Sequence, residues 1–297
     1  MGAVLLLYAG PMRLSAIINS RSGSVPDDGA QQFERLLEEH GWPGEIHVPT
    51  GEGFLEGIET FCKNDCDAIV VWGGDGTVST VMQMTGPSGP PIIPLPGGTM
   101  NMLHTRVHGA VADWQTCLVE SILRRRPETI PGIMVGDRLV FVGALIGRLT
   151  GLARARETVR EGAFADIPNS LNLSDNLDLT SAIRYRFDSS ERSGQGTATA
   201  VGLFVTEDRH KMQDGIDFVT TDPANLGELF RIGLQALTSP LPETEGVEVR
   251  DAERLSIEFE NVSAMPGTLD GEPTEFQSGL TVRYVAEAAK IMGAGLA

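Results

Sequence analysis

The sequence predicts an α/β domain built on a parallel sheet, followed by a larger antiparallel, β-rich domain. Two observations carry that expectation. Over the first 125 residues or so, short apolar runs alternate with segments of helical period, joined by short connections. From about Glu128 the helical periods give way to short strand-like runs separated by tight turns. The expected boundaries are 1–127 for the α/β domain, 128–284 for the β-rich domain and 285–297 for a closing segment.

The first half reads in order. Leu14 to Asn19 is a short strand ending in the turn Asn19-Ser20-Arg21-Ser22-Gly23. A helix follows from Asp28 to His40, with Phe33, Leu36 and Leu37 at core spacing and Gly41 as its stop. Glu45 to Val48 reads as a strand, and Phe54 to Lys63 as a helix through Leu55, Ile58 and Phe61. Ala68 to Trp72 is an apolar strand that runs straight into glycines, with a helix from Thr77 to Met84 behind it. Pro91 to Leu95 returns as a strand and Thr99 to Val107 as a helix. Ligands of such sheets lie beyond the carboxyl ends of the strands. Three of these ends carry polar glycine turns: 19–23, 73–77 and 97–101.

In the second half, Ile130 to Val135 and Arg138 to Ile146 flank Gly136-Asp137 as a hairpin. Ile183 to Phe187 and Thr197 to Val205 read as a second hairpin. Ile216 to Thr220, Gly246 to Arg250, Leu255 to Glu260 and Leu280 to Val285 add short strands, with a helix from Leu226 to Leu237 between them. Ala286 to Leu296 is small and apolar and is compatible with a final helix packing on the body.

Composition narrows the classes. The 297 residues are long for one core and comfortable for two, and 41% hydrophobic with 21% charged residues suits a globular chain. No apolar run approaches the roughly 20 residues of a membrane span. The start is apolar but short and lacks a basic leader, so no secretory signal is expected; translation from Met12 is the alternative. Three cysteines are too few for a disulfide framework and suit a reducing cytoplasm. A net charge of −17 argues against a nucleic-acid partner. Arg124 to Arg126, with Arg148, Arg154, Arg156 and Arg160, form either solvated surface pairs or a local positive face for phosphates or lipid headgroups. His104 and His108 are four apart, but Thr105 stands where a metalloprotease helix has glutamate, and zinc is not expected.

The chemistry concentrates in the turns. In Gly73-Gly74-Asp75-Gly76-Thr77 the glycines let backbone approach a phosphate, and the following helix offers free N–H groups and its positive dipole end. Asp75 there can hold magnesium through water or orient a triphosphate. The alternative is a tight strand–helix turn chosen for geometry alone. In Gly97-Gly98-Thr99-Met100-Asn101, Thr99 can donate to phosphate or cap the helix, and Asn101 can donate to phosphate or read part of a nucleotide. Asn19, Ser22 and Gly23 form a third donor-rich turn.

This pair of glycine motifs resembles the diacylglycerol kinase and sphingosine kinase superfamily, in particular its soluble bacterial lipid kinases. Phe141 to Gly162, the Asp214-Gly215 turn and Thr268-Leu269-Asp270-Gly271-Glu272-Pro273 extend the resemblance in the same order over most of the chain. It implies a lipid kinase that uses ATP and Mg2+ to phosphorylate a lipid hydroxyl (diacylglycerol, a sphingoid base or a ceramide-like lipid), with the active site between the two domains. It implies that the closing segment packs back on the first domain. It also implies a cytoplasmic enzyme that meets its lipid at the membrane surface by peripheral contact. Asp270 or Glu272 would be the general base, Asp75 would lie on the magnesium–phosphate side, and Asp214 would hold a second, structural magnesium with the carbonyls of Lys211 and Ile216. The chain departs from the pattern at Ser20, where proline is common, and at Met102, where aspartate is common. Two rivals stand beside this reading: a non-catalytic nucleotide- or lipid-sensing protein on the same fold, and an NAD kinase-like enzyme.

Overall fold

A computed structural model of the chain describes residues 10–49, 54–63, 65–109, 113–147, 182–206, 215–221 and 247–295. Its contacts divide it into two units, Met1–Ile130 with Glu287–Ala297, and Pro131–Ala286.

The first unit holds a parallel sheet, β1 (Leu14–Ile18), β2 (Gly44–His47), β3 (Ala68–Gly73) and β4 (Ile92–Pro96), in the order β2-β1-β3-β4. Every residue of β1 and β3 is buried, as the uninterrupted runs LSAII and AIVVWG require of strands covered on both faces. The helices are α1 (Gly29–His40), α2 (Phe54–Phe61), α3 (Asp75–Thr85), α4 (Met102–His108) and α5 (Trp114–Arg124). α1 packs Phe33, Leu36 and Leu37 into a core with Val70, Trp72, Leu95 and Leu118, and ends on Gly41 in the left-handed region at φ 64°. Trp72 stacks on Trp114, and its indole N–H donates to the Pro96 carbonyl at 3.0 Å.

The second unit is antiparallel. One sheet runs β12 (Val247–Ala252), β11 (Gly215–Thr221), β10 (Ala200–Thr206), β7 (Gly143–Gly147), β14 (Ala264–Leu269), β15 (Glu272–Gln277). The other pairs β9 (Ser193–Ala198), β8 (Ile183–Asp188), β13 (Arg254–Phe259) and the first residues of β16 (Leu280–Met292). β8 and β13 alternate buried and exposed residues strictly, which turns Tyr185, Phe187, Leu255 and Ile257 into one apolar core with Leu203, Phe218 and Leu269. β5 (Pro127–Val135) pairs with β6 (Arg138–Val140) around Gly136.

The structure corrects three sequence expectations. Arg138 to Ile146 is two strands: β6 pairs with β5, whereas β7 pairs with β10 and β14 in the other sheet. The break lies at Phe141 and Val142, whose N–H groups are taken by a side chain described below. The second hairpin is β8–β9, and Ala200 to Thr206 turns away at Thr199 to join the other sheet. Finally, the alanine-rich end is no helix. β16 stays extended to Met292, and Ile291 pairs with Ile92, adding a fifth strand beside β4. Open edge hydrogen bonds on β4 and burial of Ala288, Ala289 and Met292 outweigh the helix preference of alanine. The expected helix at 226–237 lies outside the described residues.

Candidate functional site

The three strand-end turns of the first unit come together and are bonded to one another. Asn19 Nδ2 donates to Thr77 Oγ1 at 2.9 Å, and its Oδ1 accepts from the Arg21 N–H at 3.1 Å. Ser22 Oγ accepts the Gly74 N–H at 3.1 Å. Asn101 Oδ1 accepts the Gly98 N–H at 2.8 Å, which leaves its amide N–H2 for a ligand. Gly23 and Thr99 are exposed, while Gly74, Gly76 and Gly98 are half-buried, so the rim is open.

The glycines serve this approach of loop to loop. A Cβ on Gly97 would lie 2.8 Å from the Gly73 Cα and 2.6 Å from a Val25 methyl carbon. One on Gly98 would lie 2.8 Å from the Gly74 Cα. Two glycine pairs therefore pack backbone against backbone, a reason for glycine that needs no phosphate. The sequence reading missed Ser24, which donates its N–H to the Gly97 carbonyl at 3.0 Å and its hydroxyl to the Gly98 carbonyl at 3.1 Å. A serine one residue past a turn has no distinguishing signature.

α3 begins at Asp75, two residues earlier than expected, with Gly74 as its cap residue. α4 begins only at Met102, so Thr99 caps nothing. Asn101 is the residue before that helix, in the left-handed region at φ 50°. Its own side chain makes no cap bond. Asp75 supplies it from the neighbouring helix: Asp75 Oδ1 accepts the Leu103 N–H at 2.8 Å in a buried setting.

The second unit holds the other candidate acids. Asp270 is buried at φ 45° in the turn between β14 and β15. Its carboxylate accepts the N–H groups of Phe141 at 3.0 Å, Val142 at 2.8 Å and Gly143 at 3.1 Å. Glu272 opens β15 and is exposed.

Residues 13–135 match the family model of the diacylglycerol kinase catalytic domain. The matched residues contain all three turns of the rim. Solved structures agree on the fold. A Bacillus anthracis strain Sterne protein assigned as a diacylglycerol kinase is 15% identical, with a TM-score of 0.71 over 96% of this chain and 98% of its own. A second diacylglycerol kinase from that strain is 13% identical, with a TM-score of 0.64 over 95% and 96%. An NAD kinase from Archaeoglobus fulgidus in complex with ATP is 13% identical, with a TM-score of 0.51 over 95% and 93%. At such identities the likeness concerns the fold alone.

Asp214, Lys211 and the arginines at 148, 154, 156 and 160 lie outside the described residues. Among the described residues no helix is long and apolar enough to cross a membrane. The ligand atoms of His104, His108 and Cys117 lie within 4.8 Å of one another in the core. His104 Nε2 lies 3.2 Å from Cys117 Sγ, and its Nδ1 is buried without a partner. Both nitrogens of His108 are already taken, by the Pro94 carbonyl and the Ala294 N–H. Hydrogen bonding thus accounts for most of this cluster without a metal.

Proposed function

We propose that this chain transfers the γ-phosphate of ATP to the hydroxyl of a lipid such as a diacylglycerol, sphingoid base or ceramide. The reading rests above all on the bonded rim of three turns inside the matched catalytic domain. The first turn of α3 directs its N–H groups and dipole toward a bound phosphate. Asn101, Ser22 and Thr99 add side-chain donors around it, while Asn19 acts as a brace for Thr77.

Magnesium suits the donor set here. Asp75 brings a hard carboxylate oxygen to a glycine cradle that backbone alone fills. Bound with the triphosphate, the ion would neutralise charge on the β- and γ-oxygens. Asp75 also keeps α4 in place through Leu103, so it sets the rim's shape as well as its charge. For Asp214 as a second, structural magnesium ligand the proposal stands on the resemblance alone.

The two late acids divide the remaining work. Three backbone N–H groups occupy the Asp270 carboxylate, which makes it a positioning group for its turn. Glu272, exposed two residues on, is the proton acceptor for the attacking hydroxyl. The lipid is met at the membrane surface, from the cytoplasm, without insertion of a span.

The deciding experiment incubates the protein with labelled ATP, magnesium and either extracted lipid or NAD. Label in a lipid product supports the proposal. Label in NAD alone would transfer the chain to the NAD kinase branch, whose ATP complex shares the fold. ATP binding without transfer to any acceptor would leave a sensor.

A further inference from the structure

α4 is only seven residues long, and it is pinned at both ends. At the amino end Asp75 accepts the Leu103 N–H, and Asn101 bonds back to Gly98. At the carboxyl end stands His108, which is 1% exposed. One ring nitrogen, Nε2, lies 2.8 Å from the Pro94 carbonyl. The other, Nδ1, receives the Ala294 N–H at 3.1 Å. A backbone N–H only donates, so Nδ1 carries no proton and Nε2 must carry it. Burial keeps the ring neutral by pulling its pKa down to about 4.

These two bonds have a topological meaning. Pro94 lies in β4, just before the loop Gly97–Asn101, and His108 closes the helix just after it. The imidazole therefore bridges the two flanks of one loop. It adds the chain's closing segment as a third element. That segment fits closely: a Cβ on Gly293 would lie 2.3 Å from the Val107 carbonyl oxygen. Arg124 Nη1 reaches the Gly293 carbonyl at 3.4 Å, and Lys290 Nζ donates to the Gly89 carbonyl at 3.2 Å.

We propose that His108 is a positioning residue for nucleotide binding, clamping β4, α4 and the chain's closing segment so that the loop Gly97–Asn101 keeps its shape. The inference rests on the rim being the nucleotide site. It assigns to the last residues of the chain a part in ATP affinity, exerted through α4.

The test compares His108→Leu, His108→Gln, His108→Asn and Gly293→Ala. His108→Leu removes both bonds and should raise the KM for ATP about tenfold with kcat changed less than about twofold. Gln keeps a donor near the Pro94 carbonyl, and Asn keeps an acceptor near Ala294. The better rescue of the two tells which bridge matters. Gly293→Ala leaves His108 untouched but pushes the closing segment off Val107, and should raise the same KM. If His108→Leu fails to fold, Gly293→Ala decides. A second readout needs no ligand: amide hydrogen exchange in residues 97–101 should quicken in both variants. Unchanged exchange and unchanged KM in folded variants would overturn the proposal. If the wild-type protein binds no ATP while the exchange still quickens, the clamp stands and the nucleotide reading falls.

Discussion

Asp75 and Asp270 are both buried aspartates beside glycine in a turn, and the two turns use them differently. Asp75 sits at the start of a helix and takes the N–H of Leu103 on the next helix. It joins one loop of an open rim to another. Asp270 sits at positive φ and takes three N–H groups from Phe141 to Gly143, the point where the chain leaves one sheet for the other. A carboxylate that holds one helix end fixes the shape of that end. One that satisfies three consecutive backbone donors is committed to architecture. The same residue type thus ties down a helix end in one turn and a strand junction in the other.

Removing the acceptor tests the contrast most severely. Asp270→Ala strands buried N–H groups and should cost about 3–5 kcal/mol of stability, read from the denaturant midpoint. A loss below roughly 1 kcal/mol would mean that water replaces the carboxylate. Asp75→Asn keeps an oxygen for Leu103, so it should lose about 100-fold or more in phosphate transfer while melting within a few degrees of the wild type. An equal loss of stability at both sites would erase the distinction. Glu272→Gln should lower kcat by about 100-fold with stability unchanged, because the side chain is exposed. A full loss of activity in Asp270→Asn with Glu272→Gln fully active would reverse the roles given to these acids. Gly97→Ala puts a methyl against Gly73 and Val25 and should cost about 1–3 kcal/mol.

The last effect vanishes at neutral pH. Burial lowers the pKa of both His104 and His108 to about 4, from an ordinary 6.5, and the mutual repulsion of the pair adds to the shift at His104. Their unfolded forms bind protons first as pH falls. Stability is therefore whole above about 6.5, drains between 6.5 and about 4, and drains no further from these groups below that. Replacing either histidine should flatten that acid slope by about one proton, measured by melting across the window.

Much of this was legible in the residues. The all-buried runs at Leu14–Ile18 and Ala68–Gly73 announced parallel strands, and the glycines at their ends announced close approach. The missing parts depend on partners far along the chain. Nothing near Phe141 says that a carboxylate 129 residues later interrupts the strand. Nothing in Ala286–Met292 favours a strand until β4 presents an open edge. His104 and His108 were visible as a pair, but the Ala294 N–H that fixes one of them lies 186 residues away.

The pairing of Ile291 with Ile92 also bears on how the protein is made. The first unit cannot finish its sheet until Ile291 has left the ribosome. Until then β4 is a bare edge, open to pairing with another nascent chain. Long sequence separation makes that last contact slow to form. Chains halted before Ala286 should be caught by chaperones or aggregate, even though every residue of the rim has already been synthesised.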